Sequence, residues 1–219
     1  MTGRVARTTT VFVLAAIGTA SLGGAILVAV QAPTPRALLE RAVGEFAQGN
    51  VDASVATFDR LVAAAPEVER ELWQRGIALY YAKRFAECRR QFELYRTVGP
   101  NDVENAAWHF LCVARAESPE RARLALLPVG PDTRVPMRQV YELFKGTMTP
   151  AQVLSAAGAQ PSGQFYARLY LGLYFEATGA AARAREEMTA AADPQYRAAG
   201  GYMHMVARVH LDRMTRGLQ

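Results

Sequence analysis

Few side chains in this sequence have types and spacings that support chemistry. The histidines are His109, His204 and His210. A helical metal pair needs an i, i+4 spacing, which puts both rings on one face. His204 and His210 are six residues apart on one helix and face different ways. His109 stands beside Trp108 with no second ligand in its neighbourhood of sequence. Each reads as a structural histidine. Cys88 and Cys112 lack metal-ligand spacing and are too few for a disulfide scaffold. Cys88 reads as a small packing residue. A bridge between the two stays open, because they fall on consecutive helices but disulfide geometry is strict. None of the five serines sits in a nucleophile elbow, and no glycine-rich loop is built to cradle phosphate. These residues predict no catalytic, cofactor or metal site. A non-enzymatic protein is expected, with an envelope hydrolase subunit or a small-molecule-binding helical protein as the alternative.

Charge is equally spare. Two of the 25 basic residues, Arg4 and Arg7, lie in an N-terminal leader, leaving 23 against 20 acidic residues. Lys83, Arg84, Arg89, Arg90 and Arg96 cluster, but Glu87 and Glu93 lie among them, so the cluster reads as a solvated helix face. No nucleic-acid module accompanies it.

The elements that carry these residues repeat. Phe58 and Phe92, Pro66 and Pro100, Ser54 and Cys88, Ala42 and Gly76, and Val51 and Phe85 are all pairs 34 residues apart. The same step from Cys88 and Phe92 reaches Ala122 and Leu126, and a later copy holds Ala184 and Met188. A unit of this length cannot bury its own apolar face and must stack on a neighbour. Ser118-Pro119, Thr149-Pro150 and Asp193-Pro194 each put an N-cap oxygen before a proline, and so mark helix starts. No segment alternates like a strand.

The period, the small-x-x-x-apolar helices, the prolines at 66 and 100 and the Leu171-Gly172 pair resemble the tetratricopeptide repeat family. Trp73 sits three residues before Gly76, where that family's pattern wants four. The resemblance implies an all-α fold: a solenoid of antiparallel helix pairs at about 36–66, 70–100, 103–127 and 165–194, closed by a capping helix at about 196–214. Two shorter helices, from Met137 and from Ala151, follow a Pro/Gly-rich break. In that family the first helix of each pair lines a concave groove. This places Leu39, Phe46, Trp73, Ile77, Tyr80, Tyr81, Leu111 and Arg115 toward it. Trp73, Ile77, Tyr80, Tyr81, Leu111 and Arg115 are therefore the expected partner-binding residues, with Tyr81 and Arg115 the most exposed. Core packing is the competing reading for Trp73, Tyr80 and Trp108.

Residues 1–32 form a separate segment. Arg4 and Arg7 precede a stretch without charge from Thr8 to Pro35, and the apolar run from Val11 to Val30 is 20 residues long. This is an export signal or a membrane anchor, with an uncleaved anchor preferred, and it puts residues 33–219 outside the membrane. The segments "FYARLYLGLYFEATGAAARAREEMTAAA" and "GYMHMVARVHLDRM" resemble the C-terminal part of the new-lipoprotein-I-like periplasmic tetratricopeptide family. That resemblance implies an adaptor for envelope proteases and cell-wall hydrolases. The lipid-attachment cysteine of that family is missing here.

Overall fold

The computed structural model describes residues 32–218. The apolar leader, and with it the choice between signal and anchor, lies outside the described residues. No helix among those described is long and apolar enough to cross a membrane.

Every regular element among the described residues is helical, in a repeat-like arrangement. The helices are α1 (Pro35–Ala47), α2 (Val51–Ala64), α3 (Trp73–Tyr81), α4 (Phe85–Tyr95), α5 (Val103–Ala116), α6 (Pro119–Leu124), α7 (Met137–Lys145), α8 (Pro150–Ala156), α9 (Pro161–Ala177), α10 (Ala181–Ala191) and α11 (Arg197–Thr215). Short connections pack α1 on α2, α3 on α4, α5 on α6 and α9 on α10. Helices α7 and α8 bridge α5 and α9, and α11 lies against α1, α9 and α10.

The starts follow the local chemistry. The hydroxyls of Thr34, Ser118 and Thr149 accept from backbone N–H groups of the first turn, each ahead of a proline that has no N–H to lose. Gln152 completes a capping box with Thr149. Asp193-Pro194 opens a 3₁₀ turn, and α11 begins after it. Pro66 likewise opens a 3₁₀ helix, Pro66–Glu71, so helix α3 starts only at Trp73.

The repeat works through one recurring contact. Ala42, Gly76 and Gly172 lie sixteen residues before Phe58, Phe92 and Met188. A Cβ built on Gly76 falls 2.6 Å from the Phe92 ring, and one on Gly172 falls 2.9 Å from the Met188 methyl. At Gly76 and Gly172 a bare backbone lets the larger side chain of the second helix seat there. In the first copy the Ser54 hydroxyl donates to the Ala42 carbonyl at 2.8 Å, tying the same two helices. Phe46, Phe58, Phe92, Phe110, Phe144 and Phe165 are fully buried along the stack. Each contributes on the order of 1.5–3 kcal/mol.

Polar rivets join neighbouring pairs. Arg75, buried on α3, donates to Asp59 of α2 at 2.8 Å and to Gln91 of α4 at 2.9 Å. Arg84 reaches Asp59 at 2.8 Å as well. Burial alone would raise the Asp59 carboxyl, but the two guanidiniums hold it below the usual range. A disulfide joins Cys88 of α4 to Cys112 of α5, with Cα atoms 5.9 Å apart. The bridge that the sequence left open is therefore formed.

Candidate functional site

Phe46, Trp73 and Tyr81, three of the residues expected to line an open groove, face the chain's own last helix. Tyr202 of α11 stacks on Phe46 at 6.4 Å and takes the edge of Trp73 at 4.8 Å. One turn pair further on, the Tyr81 hydroxyl lies 2.9 Å from Nδ1 of His210, and Arg213 donates to the Tyr81 carbonyl at 3.1 Å. The expected exposure of Tyr81 is corrected: it is 4 % exposed. Ile77, Tyr80 and Leu111 are also buried and present no surface to a partner, while Leu39 packs at the margin of the core. The physical reason is that α11 does more than cap the end. It places Tyr202 against Phe46 and Trp73, and His210 and Arg213 against Tyr81. Trp73 and Arg115 remain half-buried.

Beneath this contact runs a buried polar chain. His210 Nε2 is 2.7 Å from Glu176 Oε2, and Arg115 donates to Glu176 Oε1 at 3.1 Å. Burial by itself would raise the Glu176 carboxyl, but His210 and Arg115 hold it below the usual carboxylate range. Arg115, named from sequence as a binding residue, thus serves an internal carboxylate. The other histidines are structural too. His204 Nε2 lies 3.0 Å and 3.2 Å from the carbonyls of Asp193 and Ala192, so it carries the proton and donates. His109 is buried 3.4 Å from Glu93, and that burial pushes its ring below the ordinary histidine value.

Beside Tyr202 of α11 lies a cavity of about 330 Å³. Its buried wall carries Phe92, Asn105, Trp108 and Met203, and its half-buried rim carries Trp73, Tyr95, Tyr166 and Tyr202, with Asp102, Glu104 and Arg134 to one side. Helix α11 can bend over this space because Gly201 adopts φ 50°, ψ −123°, outside the helical region. Gly200 beside it passes so close to Phe165 that a Cβ would fall 2.7 Å from the ring.

Three lining residues keep polar atoms without a hydrogen-bond partner: Asn105 Oδ1, Trp108 Nε1 and the Tyr202 hydroxyl. Asn105 spends its amide donor on the Phe92 carbonyl at 3.1 Å, which leaves its oxygen over. A buried polar group without a partner costs about 1–3 kcal/mol. All three atoms are shut off from solvent, so they lie behind the cavity surface and not on it.

The charges beside the cavity form one cluster. Arg134 donates to Asp102 at 2.7 Å, Glu104 at 2.5 Å and Asp132 at 2.6 Å. The Tyr170 hydroxyl donates to the second Glu104 oxygen at 2.5 Å. Burial raises the Glu104 carboxyl, against the pull of Arg134 and Tyr170.

Sequence reasoning missed this side of the molecule. Arg134 sits in the Pro/Gly-rich break, and its helix-borne partners are about thirty residues away, so no local pattern joins them. Tyr202 did carry a signal: with Val206 and His210 it repeats at i, i+4 and i+8, a stripe that asks for a packing partner. Among the described residues no group of His, Cys, Asp or Glu is arranged to hold a metal. The basic residues Arg84 and Arg89 pair with Glu87 and Glu93. No protein-family model matches the chain.

Proposed function

We propose that this protein is a non-enzymatic adaptor or scaffold, a solenoid of the tetratricopeptide type whose recognition site is the aromatic cavity between α3, α5 and α11. The observation that carries this reading is the cavity itself, a half-open space of about 330 Å³ lined by Trp73, Tyr95, Trp108, Tyr166 and Tyr202. A side chain of a protein partner, presented on an extended segment or a helix, fills that volume against the aromatic lining. The buried groove residues then act indirectly: they hold α11, and α11 supplies one wall of the site.

The proposed location is the outer side of a membrane, reached through the N-terminal segment as a signal or anchor. Support comes from the basic, uncharged-then-polar order of residues 1–35 and from the Cys88–Cys112 disulfide, a bond that persists in oxidising compartments.

The experiment is site-specific photocrosslinking in the native cells. A benzophenone side chain at Tyr95 or Tyr166, on the rim, is expected to trap the same protein. One at Leu124, which is exposed and away from the cavity, is expected to trap nothing in common with them. Rim positions that trap no protein, together with a substrate turned over by the purified chain, would overturn the adaptor reading.

A further inference from the structure

Resting on the reading of this cavity as the recognition site, we infer that Cys88 and Cys112 are positioning residues for it, and that partner capture requires them in the oxidised, bonded state. The two are the only cysteines in the chain, and their bond joins α4 to α5. Neither lines the cavity, so the link runs through the packing of the two helices. One turn along each helix from the bond, Phe92 of α4 and Trp108 of α5 stack with ring planes 18° apart, and both line the cavity. Nearly a turn further along α5, Asn105 donates to the Phe92 carbonyl at 3.1 Å and lines the cavity too. Cys88 and Phe92 thus run against Cys112, Trp108 and Asn105 along one antiparallel seam. The bond closes the end of that seam away from the cavity.

The preceding interface does without such a bond. The residues 34 positions before Cys88 and Cys112 are Ser54 of α2 and Ala78 of α3, both fully buried. The Ser54 hydroxyl donates within its own pair, to the Ala42 carbonyl, and α2 packs on α3 with no covalent link. The counterparts of Phe92 and Trp108 there are Phe58 and Gln74, so no aromatic panel is built. Stacking of repeats therefore does not call for the disulfide. It falls on the interface that walls the cavity.

Closing the bond takes two protons and two electrons from the Cys88 and Cys112 thiols; an external disulfide accepts them and leaves as two thiols. Bonded sulfurs stand about 2.05 Å apart. As thiols they stand at van der Waals contact, about 3.5–4 Å for non-bonded heavy atoms. Both cysteines are wholly buried, so no free space absorbs the difference. Helices α4 and α5 must separate or turn at this point, and the next contact along the seam is the Phe92–Trp108 stack. The reduced chain folds with that wall displaced and captures its partner poorly. Oxidation, in a compartment that sustains disulfides, gives the wall its binding shape.

The test compares the full chain with its Cys88→Ser/Cys112→Ala variant, which brings in the residue types of the preceding interface. Trp73 and Trp108 are the only tryptophans, so fluorotryptophan labelling gives two assignable fluorine resonances from the purified chain in non-ionic detergent. The Trp108 resonance is expected to shift in the variant while helicity is kept. In cells, crosslinking from a benzophenone side chain at Tyr95 should fall about fivefold or more in the variant. Val153→Ala, buried on α8 and outside the cavity lining, controls for lost stability and should keep the crosslink. Should the variant not fold, the parent chain reduced in urea and refolded with dithiothreitol gives the same bond-free state. Failure of both to fold would make the bond a requirement of the fold and overturn the positioning role. An unmoved Trp108 resonance, undiminished crosslinking, or an equal loss in Val153→Ala would overturn the inference and leave the cavity as the recognition site. A parent chain that traps nothing from Tyr95 or Tyr166 would instead overturn the recognition reading and the capture claim with it, while the Trp108 resonance still decides whether the bond positions the wall.

Discussion

The Tyr81 hydroxyl lies 2.9 Å from Nδ1 of His210, a contact between residues 129 positions apart that pins the last helix into the inner face of the repeats. His210 is buried and passes the contact on to Glu176, which Arg115 also engages. Three helices, α3, α9 and α5, therefore hold α11 through one polar chain. Tyr81→Phe keeps the ring and removes only the hydroxyl, leaving His210 Nδ1 without it. The expected loss is about 1–2 kcal/mol of stability, read from the shift of a urea midpoint at unchanged slope. A variant as stable as the parent would show that the contact contributes no net stability.

Glu176 gives the same chain a pH dependence with a definite sign. Its folded carboxyl is held below the ordinary value of 4.5, so it binds protons less readily in the folded state than in the unfolded one. Its contribution is present above the ordinary carboxylate range and is lost as pH falls through the depressed folded value. Glu176→Gln should cost about 3 kcal/mol near neutral pH, because the Arg115 guanidinium loses the buried carboxylate that faces it. The melting temperature of the variant should also fall less than the parent's on acidification below 4.5. Parallel acid limbs would mean that another carboxylate governs acid unfolding.

Phe92 is the sharpest test of the repeat register. It is 1 % exposed, seats where Gly76 has no Cβ, and stacks on Trp108. Phe92→Ala should destabilise the fold by about 3–5 kcal/mol and also enlarge the cavity, since Phe92 forms part of its wall. The reverse change, Gly76→Ala, drives a methyl into the same ring and should destabilise by about 1–3 kcal/mol. If both substitutions leave the melting temperature unmoved, the paired contact does not hold the two helices together.

The Phe92 contact was legible in sequence because it recurs. A small residue and a large one keep their separation from copy to copy, and that regularity reflects the geometry of two packed helices. Tyr81 was misjudged because its neighbours Ala82, Lys83 and Arg84 suggest a surface, and nothing local says that a helix more than a hundred residues later covers it. The N-caps at Ser118 and Thr149 were legible for the opposite reason: a cap is a contact within one turn. Arg134 was not, since its three carboxylates come from the break itself and from the start of α5, and only the folded path of residues 125–136 brings them together. Short-range chemistry and periodic packing can thus be read along the chain, whereas a site assembled by one irregular segment and one distant helix cannot.

The bend at Gly201 ties the fold to the candidate site. At φ 50°, ψ −123° the backbone is in a region that L residues avoid, although no neighbouring atom lies within 4 Å of an added Cβ. The obstacle to substitution is therefore torsional and not steric. Gly201→Ala should cost about 1–3 kcal/mol and displace Tyr202, the next residue, from the cavity rim. A D-alanine at the same position, introduced by semisynthesis of the last helix, meets torsions whose mirror image is an ordinary extended conformation. It should fold at least as stably as glycine, because it narrows the unfolded ensemble without straining the native one. The two variants carry the same atoms and differ only in handedness, so a melting temperature lowered by L-alanine and kept by D-alanine isolates the bend as the cause. Equal losses from both would place the cost in contacts around α11 and remove the torsional account.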